Sequence, residues 1–464
     1  ATLPQSAEDS LSAEASVYLV GVDPDSGDYG IRIPVRFRFE TRAGSVIGEN
    51  WLAVQTYPGF VLEEKRTYAV VVTDRLRAGG SAIARDDDFD ALMRSGGAGA
   101  FDVYRPLLDY LAEPGDDEPE DVISAAVFTT QDATSLLLAA REVVRAEPGP
   151  AARDIEYITA NSSYAEYRGL WDAPNFQVGD PPYRREGGEV QVGADGLPVV
   201  QRSEELRFAL TVPLGDVPQG GWPVVLYAHG TGGSYRSFIN NGTARSLADA
   251  GLAVLSMDQV LHGPRDPTSS SPDLNFFNFL NPAAARDNTL QGAIDLLNLT
   301  RLAEGFDYDD VANSRQVIFD SARISFFGHS QGGITGIPFL GTEPNVKGAV
   351  LSGAGGLLYL ALLLKTQPID ITALIATVIR DEPLDEFNPL LALLQTYLDR
   401  ADGANYARYL TRAPRAGFEA KHVLLGEGLV DRFTPVPSIE ALAVALGVEQ
   451  AEPVIQPIAG FDVA

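Results

Sequence analysis

The sequence predicts an α/β fold: a doubly wound, mostly parallel sheet with helices on both faces and a helical cap, preceded by a β-rich domain. Three observations carry this. From about residue 155, short apolar runs alternate with helical stretches, which is how a parallel sheet covered on both sides is written. Ahead of that, Ile31–Phe39 alternates apolar and polar residues with period two, the mark of a half-buried strand. Third, Gly328-His329-Ser330-Gln331-Gly332 lies between an apolar run and a helical one, so a tight strand-to-helix corner is expected there.

The elements follow in order. Residues 1 to about 25 are polar and read as an arm. Ile31–Phe39 contains Pro34, which suits an edge strand because proline cannot donate to a ladder. Tyr68–Thr73 and Val122–Thr130 are further strands. Phe101–Leu111 and Gln131–Ala146 have helical spacing, and the second ends at Glu147-Pro148-Gly149-Pro150. Two prolines around a glycine stop a helix and begin a linker, so a boundary near residue 150 is expected, with domains of 1–150 and 151–464. Asp23-Pro24-Asp25-Ser26-Gly27-Asp28 has the outline of a calcium loop, but no glutamate follows at loop position twelve; a polar turn is the better reading.

In the second part Trp222–Ala228, Leu252–Met257, Ile324–Phe327, Val346–Ser352 and His422–Leu425 read as strands. Ser234–Ala250 and Ala283–Ala303 read as helices. A Leu-rich stretch, about 357–415, is too helical for a simple crossover. Leu374, Ile375, Val378 and Ile379 share one helical face, and Leu390, Leu391, Leu394 and Leu398 another. Such an insertion at the ligand-binding edge of a sheet is expected to be a cap, core helices being the plainer alternative.

Composition narrows the partners. The 464 residues carry 63 Asp and Glu against 35 Lys and Arg, a formal charge of −28. Such a surface repels nucleic acid and anionic lipid headgroups. There is no cysteine, which excludes disulfides, thiolate metal sites and a cysteine nucleophile together. Leu357–Leu364 is far shorter than the ~20 apolar residues a membrane span requires. The chain begins Ala-Thr-Leu-Pro and is expected to be a mature or trimmed form. No metal ligand set of the H-E-x-x-H kind occurs, and no cofactor is expected.

The candidate nucleophile is Ser330. A serine in G-x-S-x-G at a strand-to-helix corner is lifted clear of the sheet, and the next backbone N–H points at the group it attacks. His229-Gly230-Thr231-Gly232-Gly233 directly follows the strand Trp222–Ala228. The N–H groups of Thr231 and Gln331 are therefore assigned to the oxyanion, with His229 and Gly230 supporting the loop. Asp431 lies just past a strand end and is assigned to orient the base, with Glu427 as runner-up and helix capping as its plainer role.

The base is the difficulty. The order in this arrangement is Ser, Asp, His, yet the four histidines are His229, His262, His329 and His422, all before Asp431. The triad histidine is expected outside this chain, on a missing or cleaved C-terminal piece. His262 is a weak substitute; its plainer role is to hold a loop. His329 occupies the variable elbow position and His422 begins a strand at the opposite end of the sheet, so neither is given a role.

With these residues in view, the chain resembles bacterial secreted lipases and esterases of the α/β-hydrolase superfamily. It is most similar to the subgroup with an N-terminal β-rich, Ig-like module, the bacterial virulence-factor lipases. T-Y-A-V-V-V-T-D at Thr67 and A-A-V-F-T-T-Q at Ala125 resemble that module. H-G-T-G-G at His229, D-Q-V-L-H-G at Asp258, F-N-F-L-N-P-A-A-A-R-D-N at Phe277 and G-H-S-Q-G at Gly328 resemble the hydrolase part. The resemblance implies carboxylic ester hydrolysis on small-molecule, lipid or polyester substrates. It also implies a secreted or cell-envelope location and lipid anchoring through a segment not present here. The alternatives are a polyester or polyhydroxyalkanoate depolymerase, a peptidase, and a non-catalytic binding protein on a hydrolase scaffold.

Overall fold

A computed structural model describes residues 2–96, 99–268, 271–367, 370, 372–373 and 384–461. Contacts divide the chain into two compact units. One is Ala1–Ala133 with Thr372–Leu394 and Gln450–Ala464; the other is Thr134–Ile371 with Gln395–Glu449.

The first unit is β-rich. Strands β1 (Val17–Gly21), β2 (Arg32–Ile33), β3 (Val35–Glu40), β4 (Trp51–Thr56), β5 (Thr67–Thr73), β6 (Arg77–Ala78), β7 (Ser81–Ala82) and β8 (Val122–Thr129) occur in that order. An antiparallel sheet runs β2-β1-β5-β8, while β3 pairs with β4 and β6 with β7. The expected strand Ile31–Phe39 is thus two strands that serve two sheets, and the switch falls at Pro34, which has no N–H to continue a ladder. β1 is buried throughout, because successive side chains face two different clusters. Tyr18 and Val20 join Val71, Leu107 and Leu111, whereas Leu19 joins Val35 and Tyr68. Residues 385–387 belong to this unit: Glu386 pairs with Arg36 at 3.0 Å, and Asp385 pairs with Arg38. The expected face of Leu374, Ile375, Val378 and Ile379 lies outside the described residues. Leu390, Leu391, Leu394 and Leu398 stand on a helix at Pro389–Leu398.

The second unit contains β9 (Arg153–Ala160), β10 (Tyr164–Asn175), β11 (Arg202–Pro213), β12 (Trp222–Ala228), β13 (Ala253–Met257), β14 (Asp307–Asp310), β15 (Arg315–His329), β16 (Val346–Ser352) and β17 (His422–Gly426). The main sheet runs β17-β16-β15-β12-β13-β11-β10-β9, with β14 beside β15. The five strands from β17 to β13 are parallel, and β11, β10 and β9 add on antiparallel. The sheet is mixed, which corrects the expectation of a mostly parallel one. β10 and β11 escape a reading by apolar runs because both are punctuated by charge. Those charges are neutralised across the sheet surface: Arg153 reaches Asp172 at 3.0 Å and Glu205 at 2.8 Å, and Arg236 reaches the buried Glu166 at 2.9 Å.

Helices cover both faces. Phe327 and Tyr227 meet Phe238 and Ala248 from two short helices, Ser237–Asn240 and Thr243–Asp249. The expected single helix Ser234–Ala250 is broken at Gly242, whose φ is +89°. On the alternate face Phe326 meets Phe339 from the helix Gln331–Leu340. That helix packs against the long helix Pro282–Glu304. The long helix is held by a buried polar row at i, i+4, i+8. Asp287 accepts from Val190 N–H at 2.8 Å, Gln291 from Phe176 N–H at 2.9 Å, and Asp295 from Arg265 at 2.7 Å. Among the described residues no helix is long and apolar enough to cross a membrane.

Candidate active site

The site is built at the carboxyl end of β15. Ser330 has φ 52° and ψ −117°, a backbone region that a residue with a side chain occupies only under constraint, at a cost of roughly 1–3 kcal/mol. The constraint is visible. Ser330 N–H donates to Ser352 O on β16 at 2.8 Å, while Ser330 O accepts from Gly333 and Ile334 N–H at 2.8 and 3.1 Å. The corner is also tight against β12: a side-chain carbon placed on Gly332 would stand 2.1 Å from Ala228 O. Ser330 itself is only half-buried.

The loop after β12 closes on this corner. A side-chain carbon on Gly230 would sit 3.1 Å from the His329 ring and 3.2 Å from Ser330 Cβ. The next residue, Thr231, donates its hydroxyl to Gln331 Oε1 at 2.9 Å. So the two residues assigned to the oxyanion are joined through their side chains. Their backbone N–H groups donate to no acceptor among the described residues, and that of Gln331 opens the helix Gln331–Leu340. Unpaired amides at a helix N-terminus favour negative charge placed before them.

Two buried histidines hold that loop from behind. His229 Nδ1–H donates to Gly230 O at 2.8 Å, and its Nε2 accepts from Gln259 N–H at 3.1 Å. His262 Nδ1–H donates to Val260 O at 2.9 Å, and its Nε2 accepts from Gly232 N–H at 2.9 Å. Both rings therefore carry the proton on Nδ1, with Nε2 committed. They meet edge to face at 4.9 Å. Burial, with His262 adding to it, lowers the His229 pKa to about 4; burial lowers that of His262 as well. Leu261, between Val260 and His262, has φ +59°, so the turn that aims His262 at the loop is itself constrained. With Nε2 occupied, His262 has no lone pair to offer Ser330. His329 is exposed, with Nδ1 3.2 Å from Ser352 Oγ, and His422 is exposed at the start of β17.

Asp431 follows β17. Its Oδ1 accepts from Phe433 and Thr434 N–H at 2.8 and 3.0 Å. Its Oδ2 lies 3.5 Å from where a side-chain carbon on Gly353 would be. Gly353 follows Ser352, the residue that holds Ser330 N–H, so strand β16 links the carboxylate to the elbow. One oxygen of Asp431 is thus fixed by the backbone, and the other stands beside Gly353. Glu427 is half-buried, and burial, with Glu440 adding to it, pushes its carboxyl upward.

Gln259 was not singled out from the sequence. Its N–H and side-chain amide both bind His229, and its Oε1 accepts from Thr335 on the nucleophile helix at 3.1 Å. The available signal is the polar pair Asp258-Gln259 directly after the strand Ala253–Met257; both side chains are buried. Among the described residues no cluster of His, Asp and Glu is arranged to hold a metal ion. Chemically, the arrangement presents a hydroxyl, two amide donors and an oriented carboxylate, while both nitrogens of each buried imidazole are already engaged.

No family model matches the sequence, and no curated protein matches it. Among solved structures, an acetyl xylan esterase from Paenibacillus sp. R4 aligns with 19% identity over 68% of this chain and 84% of its own, at a TM-score of 0.42. Acetyl xylan esterase 1 from Thermoanaerobacterium sp. JW/SL YS485 aligns with 15% identity over 67% and 83%, at 0.41. A CE15 glucuronoyl esterase from Teredinibacter turnerae T7901 aligns with 15% identity over 64% and 65%, at 0.32.

Proposed function

We propose that this chain is a serine carboxylic ester hydrolase of the α/β-hydrolase type. The single observation that carries the reading is Ser330, held at φ 52° and ψ −117° beside the unpaired N–H groups of Gln331 and Thr231. Ser330 Oγ gives its proton to a base and attacks the ester carbonyl. The negative oxygen so formed is held by the two amides. The carbon–oxygen bond to the alcohol then breaks, and the alcohol leaves with the proton from the base. Water, activated the same way, releases the acid from Ser330. Losing one oxyanion donor is expected to cost on the order of 10²–10³ in rate.

The base is unassigned: the imidazoles of His229 and His262 are committed to loop hydrogen bonds, and His329 and His422 are exposed. We place it on a separate histidine-bearing segment. Its docking place is the outer edge of β17, which ends the sheet among the described residues. Leu424 there is 63% exposed, and Val430, just ahead of Asp431, is 88% exposed. A strand laid along that edge would bring an imidazole to Asp431 Oδ2. We further propose that the N-terminal β-rich unit is an Ig-like module and that residues 1–150 and 151–464 are the functional domains. Export and lipid anchoring belong to the same reading. The exposed Leu429, Val430 and Phe433 favour apolar acyl chains or polyester units.

A second reading, a binding protein on the same scaffold, is favoured by one observation: no histidine among the described residues is hydrogen-bonded to Ser330, and the two buried ones have both ring nitrogens engaged elsewhere. Imidazole added to the buffer separates the two. The hydrolase reading predicts that imidazole accelerates covalent labelling of Ser330 by a fluorophosphonate and p-nitrophenyl ester turnover; no response in either supports the binding protein. Parallel assays on an amide, a soluble ester and a polyester film sort peptidase, esterase and depolymerase.

A further inference from the structure

Lys365 stands out in a chain of charge −28. It closes the helix Leu358–Leu364 and is half-buried. Its ammonium donates to no acceptor among the described residues, and its recorded neighbour is the ring of Phe277, 4.5 Å from Nζ. Two carboxylates face it through space, Asp273 and Asp431, while burial works against its charge. A half-buried ammonium without a hydrogen-bonded acceptor is an expensive arrangement unless something else completes it.

Its position relates it to the reaction. The two residues after it, Thr366 and Gln367, both donate their N–H to Arg432 O at 3.3 Å, which ties Lys365 to the loop that carries Asp431. On the other side Phe277 packs on the cluster of Phe276, Val260 and Leu261, next to His262, which holds Gly232. Lys365 therefore lies between the Asp431 bank and the oxyanion-loop bank of the site. Its ammonium takes no part in the hydrogen bonds that brace the loop.

Resting on the ester-hydrolase reading above, we infer that Lys365 is a specificity residue that receives a carboxylate carried by the substrate, so that the preferred ester is a half-ester with a free acid. The Phe277 ring supplies an apolar surface for the carbon chain between that acid and the ester. The strongly negative surface elsewhere repels such a substrate, so any preference for it has to come from a local cation.

Equilibrium binding tests this without turnover. The Ser330→Ala chain is titrated with monomethyl glutarate and with dimethyl glutarate, its uncharged counterpart. The monoanion is expected to bind about ten- to a hundred-fold more tightly, the range of a charge-assisted hydrogen bond. In Ser330→Ala/Lys365→Met that preference disappears, and in Ser330→Ala/Lys365→Arg most of it is retained, with unchanged melting in both. Equal affinity for the two ligands, no measurable binding of either, or a preference that survives Lys365→Met overturns the inference. Failure of the hydrolase reading looks different: the monoanion binds through Lys365, yet Ser330 never reacts with a fluorophosphonate.

Discussion

Thr231 and Gln331, one hundred residues apart, are joined by a 2.9 Å hydrogen bond from the threonine hydroxyl to the glutamine Oε1. The bond fixes the spacing of two backbone amides that belong to different elements, a loop after β12 and the helix after β15. Thr231→Val keeps the shape and removes the donor. It is expected to leave a buried acceptor unmet, lower stability by about 1–3 kcal/mol, and slow Ser330 labelling at least tenfold. Thr231→Ser restores both. Thermal melts and timed labelling read the two effects separately.

Gly332 and Gly230 are expected to respond differently to alanine. At Gly332 the added carbon would meet Ala228 O at 2.1 Å, against backbone that cannot move without parting β12 from the elbow. Gly332→Ala is expected to cost several kcal/mol and to lower the yield of folded protein. At Gly230 the contacts are 3.1 and 3.2 Å, tight but reached by a small loop shift. Gly230→Ala is expected to melt within a few degrees of the parent while labelling falls by 10²–10³.

His262 is expected to act as a brace. Glutamine at 262 can still accept the Gly232 N–H, whereas phenylalanine cannot. With imidazole in the buffer, His262→Gln is expected to keep at least a tenth of the labelling rate and His262→Phe to lose about a hundredfold. An equal loss in both without imidazole, restored in both by adding it, would instead make His262 the base.

His229 gives a signed pH effect. Its folded pKa is about 4 against an ordinary 6.5, so between those values the unfolded chain binds a proton that the folded chain refuses. The stability tied to neutral His229 is fully present above about pH 6.5 and is lost as pH falls toward 4. In His229→Asn that dependence is gone. The destabilisation caused by the substitution is therefore expected to shrink by on the order of 2 kcal/mol between pH 7 and pH 4.5, measured by urea unfolding at both.

The parts of the fold that follow simple periodicity were legible. β12 and β16 occur at Trp222–Ala228 and Val346–Ser352 as their apolar runs require. β10 and β11 were not, because Glu166, Arg168, Asp172 and Glu205 interrupt the pattern; Arg168 pairs with Glu166 along β10, while Asp172 and Glu205 meet Arg153 of β9. The elbow was legible because G-x-S-x-G is a short local pattern, although Gly332 is dictated by the approach of Ala228 on β12. The brace was not: that His262 Nε2 takes the Gly232 N–H depends on a turn at Leu261, and nothing local distinguishes a loop histidine from a base. Lys365 was silent for a similar reason, since its isolation is a property of what surrounds it in space.

The most direct test of the central claim is mass-spectrometric mapping of a fluorophosphonate adduct on the folded chain, with and without imidazole. The account predicts one adduct, on the peptide containing Ser330, formed faster with imidazole and absent in Ser330→Ala. An unreacted Ser330 under both conditions, or an adduct on a different serine, would contradict it.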